Sequence, residues 1–107
     1  MKILLLEDDY TYKESIKELL EEMGYSVDDF DDGEKALDAL FETSYQLALL
    51  DIRVPNIDGY EILKEIRKAK LDLPIIFITS LTDINNLSLG YELGCNDYLR
   101  KPFSLKE

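Results

Sequence analysis

Short, continuous apolar runs alternate along this chain with stretches whose apolar positions recur at helical spacing. Ile3-Leu4-Leu5-Leu6 is unbroken, the mark of a strand buried on both faces. Tyr12, Ile16, Leu19, Leu20 and Met23 then fall on one helix face, and Gly24 supplies a C-terminal stop. Tyr25-Ser26-Val27 begins a short second strand. Gly33 precedes a second helix that turns Ala36, Leu37, Leu40 and Phe41 inward. Leu47-Ala48-Leu49-Leu50 predicts a third strand ending at Asp51, followed by a loop from Ile52 to Asp58 that ends at Gly59. The third helix buries Ile62, Leu63 and Ile66, and its basic run Arg67-Lys68-Ala69-Lys70 suits the negative end of a helix dipole. Pro74 opens the fourth strand, Ile75-Ile76-Phe77-Ile78, which ends at Thr79-Ser80. A fourth helix is expected from about Asp83 to Leu93 with Gly94 as its stop, then a short fifth strand, Asp97-Tyr98-Leu99-Arg100, closed by Lys101-Pro102-Phe103.

Strand–helix alternation with apolar strands predicts an α/β fold, a parallel sheet covered by helices on both faces with right-handed crossovers. The 107 residues suffice for one domain, 1–107, with one core. Ser104-Leu105-Lys106-Glu107 has the Ser-x-x-Glu form of a capping box and announces a fifth helix. The expectation is therefore of a chain truncated before or within that helix, with the fifth helix largely missing. Such a fragment would expose an apolar strip of sheet and self-associate or exchange elements between copies.

Composition narrows the chemistry. With no histidine, the chain cannot run His-based acid–base catalysis or a Ser/His/Asp triad, and most zinc sites are excluded. The single cysteine, Cys95, cannot form an intrachain disulfide, and points to a reducing cytoplasm. No apolar run approaches the roughly 20 residues of a membrane span. The net charge of −11 is uneven: residues 1–59 hold 16 acids and 5 bases, whereas residues 60–107 hold 7 of each. Such a surface repels nucleic acid and anionic lipid.

In an open parallel sheet, ligands sit beyond the carboxyl ends of the strands. The first strand ends at Glu7-Asp8-Asp9, the third at Asp51, the fourth at Thr79-Ser80, and the fifth just before Lys101. Carboxylates, a hydroxyl and an ammonium thus share one edge. Two carboxylates about 4 Å apart repel by roughly 4 kcal/mol at an effective dielectric near 20. A hard divalent cation removes that cost, and an all-oxygen donor set selects Mg²⁺, with Mn²⁺ or Ca²⁺ as alternatives. Taken alone, the acidic triplet reads more readily as a helix cap. The coincidence of four strand ends favours the site.

These residues resemble the receiver domain of bacterial two-component response regulators. The resemblance rests on Leu6-Glu7-Asp8, on Leu50-Asp51-Ile52-Arg53-Val54-Pro55-Asn56-Ile57-Asp58-Gly59, on Ile78-Thr79-Ser80, and on Asp97-Tyr98-Leu99-Arg100-Lys101-Pro102-Phe103. It implies a flavodoxin-like, doubly wound five-stranded sheet in the order 2-1-3-4-5. It further implies that Asp51 accepts a phosphoryl group from a histidine kinase. Mg²⁺, or Mn²⁺, would be held by Asp8, by Glu7 through water, by Asp51 and by the backbone carbonyl of Arg53. Lys101 would pair with a phosphoryl oxygen, after a cis peptide bond at Pro102, and Thr79 would donate its hydroxyl. Tyr98 would turn inward as Thr79 moves, repacking the helix 4–strand 5–helix 5 surface; a static half-buried aromatic is the alternative. Asp9 falls outside the acidic pair and reads as a surface or capping residue. Ser80 is small, as a neighbour of a phosphate must be. Gly59 shapes the acceptor loop by taking positive φ.

The same resemblance implies a phosphorylation-dependent homodimer and, through the ending Tyr98–Leu105, the winged-helix transcription-factor branch. A DNA-binding output domain would then follow residue 107, and this acidic piece would not itself bind DNA. The domain promotes its own phosphorylation and dephosphorylation without being an enzyme in the usual sense. Leu81 offers no group to orient water, which predicts slow loss of the phosphoryl group. Three other readings compete. An aspartyl-nucleophile Mg²⁺ phosphatase needs an acid two residues after the nucleophile, where this chain has Arg53. A flavodoxin-like cofactor binder needs a phosphate loop where this chain has Glu7-Asp8-Asp9. A receiver-like interaction module that is never phosphorylated remains the alternative.

Overall fold

The structure, a computed structural model, describes residues 1–79 and 87–101. Nine elements alternate along the described chain: β1 (Lys2–Leu6), α1 (Tyr10–Glu22), β2 (Ser26–Phe30), α2 (Gly33–Glu42), β3 (Leu47–Asp51), α3 (Gly59–Lys68), β4 (Ile75–Thr79), α4 (Leu87–Leu93) and β5 (Asp97–Arg100). The five strands form one sheet in the order β2-β1-β3-β4-β5, every pair parallel. This is the expected doubly wound architecture. The expectations for Ser80, Leu81, the first turn of the fourth helix, Pro102, Phe103 and the Ser104–Glu107 cap lie outside the described residues. No helix among the described residues is long and apolar enough to cross a membrane.

Strand side chains alternate between faces, so each apolar run feeds two cores. Leu4, Leu6, Ala48, Leu50, Ile75 and Phe77 pack with Ala36 and Leu40 of α2 and Ile62, Leu63 and Ile66 of α3. Ile3, Leu5, Val27, Leu49 and Ile78 pack on the other face around Ile16 of α1. The two faces are unequally covered. On the α1 side Leu47 and Ile76 are only half-buried and Leu99 of β5 is exposed.

Local chemistry sets the helix ends. Asp9, Asp32 and Asp58 each take an extended conformation and accept from backbone N–H groups of the first turns of α1, α2 and α3. Gly24, at φ +94°, follows the end of α1, where it donates to the Glu21 carbonyl and Tyr25 donates to the Leu20 carbonyl. Several details depart from the sequence pattern. Helix α1 starts at Tyr10, and its buried stripe is narrower than the spacing suggests: Ile16 is buried, but Met23 is exposed. Phe41, expected to face inward, is half exposed because it stands at the far end of α2 beside the start of β3. Gly33 is the first residue of α2 rather than its predecessor.

Strand β2 runs on to Phe30 through Asp28 and Asp29, residues of poor strand propensity. Tertiary pairing overrides that preference at this sheet edge. Tyr45 Oη donates to Asp28 Oδ2 at 2.6 Å, and Asp29 pairs with Lys17 at 3.0 Å and Lys13 at 3.2 Å. Partial burial alone would raise the Asp29 carboxyl, but the two ammonium groups outweigh it and hold the group below its ordinary 3.8. A carboxyl so lowered stabilises the fold above pH 3.8 and loses that contribution as pH falls through its folded-state value. D29N is therefore expected to cost roughly 0.5–1 kcal/mol at pH 7, the scale of two partly exposed pairs. The gap from wild type should close below pH 3.8 when denaturant melts are repeated across the acid range.

A second contact ties two loops together. Gly33 N–H donates to the Pro55 carbonyl at 3.1 Å, and Asn56 Nδ2 donates to Asp32 Oδ2. A Cβ on Gly33 would stand 1.7 Å from the Ile57 carbonyl oxygen. G33A must therefore displace backbone, and a loss of roughly 1–3 kcal/mol is expected in urea denaturation. A variant as stable as wild type would show that the loop yields freely.

Candidate functional site at the carboxyl edge of the sheet

The parallel register brings the ends of β1, β3, β4 and β5 to one edge. Leu6 pairs with Leu50, so Glu7 and Asp51 leave adjacent strands at the same level. Asp51 pairs with Ile78, which puts Thr79 one residue further along β4. Thr79 pairs with Arg100, and Lys101 N–H donates to the Thr79 carbonyl at 2.6 Å. All of these positions follow from strand order and register rather than from proximity in sequence.

Glu7, Asp8 and Asp51 each offer a carboxylate oxygen, and the three atoms lie within 4.8 Å of one another. Glu7 is fully buried, Asp51 is 7% exposed, and Asp8 is exposed. Burial raises the Glu7 carboxyl, and neighbouring Asp51 raises it further against the opposing pull of Lys101. The Asp8 carboxyl is raised too, by partial burial and then by the Glu7 charge. Glu7 Oε2 accepts from Asp9 N–H at 3.1 Å. Its other oxygen, Oε1, is buried and pairs with the Lys101 ammonium.

Lys101 bridges the cluster. Its ammonium pairs with Glu7 Oε1 and reaches Asp51 Oδ2 at 3.2 Å. Burial pulls the ammonium down, but the two carboxylates outweigh it and the net shift is upward, so the group is charged. The face of the Tyr12 ring covers it, with the centroid 4.9 Å from Nζ. Sequence reasoning put Tyr12 only on a helix face. The available signal was its place one turn into the helix that follows the acidic pair, which aims it at the same sheet edge.

The loop that follows Asp51 is held close by its own backbone. Arg53 N–H donates to Asp51 Oδ1 at 3.2 Å, and Gly59 N–H donates to the Ile52 carbonyl at 2.8 Å. The expectation that Gly59 takes positive φ is corrected: Asn56 adopts φ +73° instead. Gly59 serves close packing, because a Cβ there would lie 2.9 Å from the Asp51 carbonyl oxygen and from Ile52 Cα. Asp58, an acid inside the same loop, caps α3 by accepting from Glu61 N–H at 2.9 Å. Asp9 likewise caps α1, accepting from Tyr12 N–H at 3.0 Å.

Thr79 is buried at the end of β4. Tyr98, on the neighbouring strand, is half-buried and turned toward α4. Its ring lies 5.6 Å from Phe77 and 5.3 Å from Tyr91 between centroids. Its hydroxyl occupies the notch of Gly90, where a Cβ would stand 1.9 Å away. Burial and the neighbouring Tyr60 hydroxyl push the phenol well above its ordinary value. Cys95 is buried in the same cluster, as expected of a small core residue.

The family model described as the response regulator receiver domain matches residues 3–107. The chain belongs to that family. The receiver domain is 45% identical over 107 residues to the transcriptional regulatory protein CrdR of Helicobacter pylori, covering 99% of this chain and 50% of that protein. It is 40% identical over 107 residues to the transcriptional regulatory protein DltR of Streptococcus agalactiae, covering 100% of this chain and 48% of that protein. The receiver domain thus spans about half the length of these curated relatives. Among solved structures, the Francisella response regulator 1452 receiver domain superposes with a TM-score of 0.91 at 33% identity, over 98% of this chain and 87% of that one.

The crowded carboxylates have a stability consequence. Asp8 is exposed and its charge stands against buried Glu7, so D8N should stabilise the cation-free protein by roughly 0.5 kcal/mol, the scale of an exposed charge pair. Chemical denaturation in EDTA reads this directly, and a loss of stability would contradict the repulsion.

Proposed function

We propose that Asp51 of this receiver domain reversibly accepts a phosphoryl group from the phosphohistidine of a sensor kinase, with Mg²⁺ bound by the acidic cluster. The single observation that carries the reading is the meeting of Glu7, Asp8 and Asp51 around one point, with Lys101 drawn between two of them. The donor set fits a hard divalent cation. It is all oxygen and crowded with like charge. Asp8, Glu7, Asp51 and the Arg53 carbonyl would hold the ion, Glu7 through water; Mn²⁺ would serve in its place. When bound, the ion supplies charge neutralisation for an anionic acceptor meeting an anionic donor.

The chain's own residues do the rest. One Asp51 carboxylate oxygen forms the new P–O bond as the P–N bond of the donor breaks, and the imidazole departs with the electron pair and takes a proton from water. Arg53 N–H at Oδ1 and Lys101 at Oδ2 hold the carboxylate for this attack. Lys101 then follows the negative charge from Asp51 to a phosphoryl oxygen, as a compact point charge on a flexible stem can. Thr79 donates its hydroxyl to another phosphoryl oxygen. The movement of Thr79 changes the packing beside Tyr98, and with it the α4–β5 surface, which carries exposed Leu89, Tyr91 and Leu99. That surface would support a phosphorylation-dependent homodimer.

In the whole protein we infer a DNA-binding output segment and a cytoplasmic regulator of transcription. Support comes from the names of the relatives, half of whose length this chain spans. The test is incubation with acetyl phosphate and Mg²⁺ followed by intact mass measurement. One added phosphoryl group is expected, absent in D51N and absent in EDTA. A metal-replete sample that gains none would overturn the reading in favour of an unphosphorylated interaction module.

A further inference from the structure

Among the described residues, the Lys101 ammonium meets the Glu7 carboxylate, the Asp51 carboxylate and the Tyr12 ring. The two carboxylates have other roles in the proposed chemistry. Asp51 becomes the acceptor, and Glu7 shares its charge with a bound cation. Tyr12 is neutral, so its contact with the ammonium is the same before and after the negative charge shifts.

Its placement is well supported. Asp9 N–H donates to Glu7 Oε2 at 3.1 Å, and Asp9 Oδ1 accepts from Tyr12 N–H at 3.0 Å, so one residue ties the acidic pair to the first turn of α1. The Tyr12 ring also packs against the core of Ile3, Leu5 and Ile16. One edge of the ring is thereby anchored in the core while its face covers the ammonium, 4.9 Å from centroid to Nζ. An ammonium over an aromatic face is held by the ring quadrupole, more strongly where water is partly excluded. The Lys101 side chain is 21% exposed, so that exclusion is substantial.

We propose that Tyr12 is a positioning residue for Lys101: its ring confines the ammonium to the short arc between Asp51 and an incoming phosphoryl oxygen. The inference rests on the phosphoacceptor reading. A lysine side chain has a flexible four-carbon stem, and without a wall it would spend time directed toward solvent. The ring limits that loss without competing for the charge.

The test compares the full chain with Y12F, Y12L and Y12M. Y12F keeps the π face; Y12L and Y12M keep apolar volume without it, and the second guards against a leucine that packs poorly. Two readouts are taken: the maximal rate of phosphorylation by acetyl phosphate with its half-saturating Mg²⁺ concentration, and the slowly exchanging ¹⁵Nζ signal of Lys101 in lysine-labelled protein. Y12L and Y12M should lower the maximal rate about fivefold, leave half-saturation unchanged, and lose the ammonium signal. Y12F should retain both within twofold. The proposal is overturned if Y12F behaves like Y12L, if Y12L and Y12M retain the rate, or if the rate falls while the ammonium signal persists. Should the wild type accept no phosphoryl group, the phosphoacceptor reading fails, while the ammonium signal still decides whether Tyr12 holds the lysine.

Discussion

The arrangement depends on like charges being forced together at the end of a hydrophobic sheet. Strands β1 and β3 are held in register by buried leucines, and that register delivers Glu7 and Asp51 side by side whatever their mutual repulsion. At an effective dielectric near 20, a pair of carboxylates 4 Å apart costs roughly 4 kcal/mol. Burial is the larger cause of the upward displacement of Glu7 and Asp8, the neighbouring carboxylates add to it, and the Lys101 ion pairs offset part of it. A site strained in this way has a high appetite for positive charge. The same electrostatics that crowd the cluster favour a divalent cation there.

Rigid and adjustable parts are divided along the sheet edge. The acceptor loop is fixed by backbone contacts that leave no room for side chains: Gly59 lies against the Asp51 carbonyl, and Gly33 lies against Ile57. The Asp32–Asn56 bond and the Gly33–Pro55 bond join this loop to the start of α2. The opposite flank is built differently. There Tyr98 lodges its hydroxyl in the Gly90 notch, and Leu89 and Tyr91 of α4 are exposed.

Element order was legible in the chain, because three continuous apolar runs read as strands buried on both faces and the intervening helical spacings are clear. So were the cap at Asp9 and the strand-end positions of Glu7, Asp51, Thr79 and Lys101. Less legible were effects that depend on neighbours distant in sequence. The strand through Asp28 and Asp29 runs against local propensity and is secured by Tyr45, Lys13 and Lys17. Phe41 sits on the helical stripe yet is exposed, because it stands at the far end of α2, and periodicity alone does not say how far the covering sheet reaches. Gly59 looked like a residue chosen for positive φ, but its role is close approach, and Asn56 takes the left-handed conformation.

The amino-acid sequence by itself determined the alternating strands and helices, the acidic strand end, and the absence of any imidazole chemistry, since these follow from residue type and spacing alone. Tertiary structure decided which oxygens share a few ångströms, that Lys101 stands between Glu7 and Asp51, and that the Tyr12 ring covers its ammonium. The physical reason is that periodicity specifies which face a side chain occupies, while distances between elements are set only when the sheet register and the packing of helices on it are both satisfied.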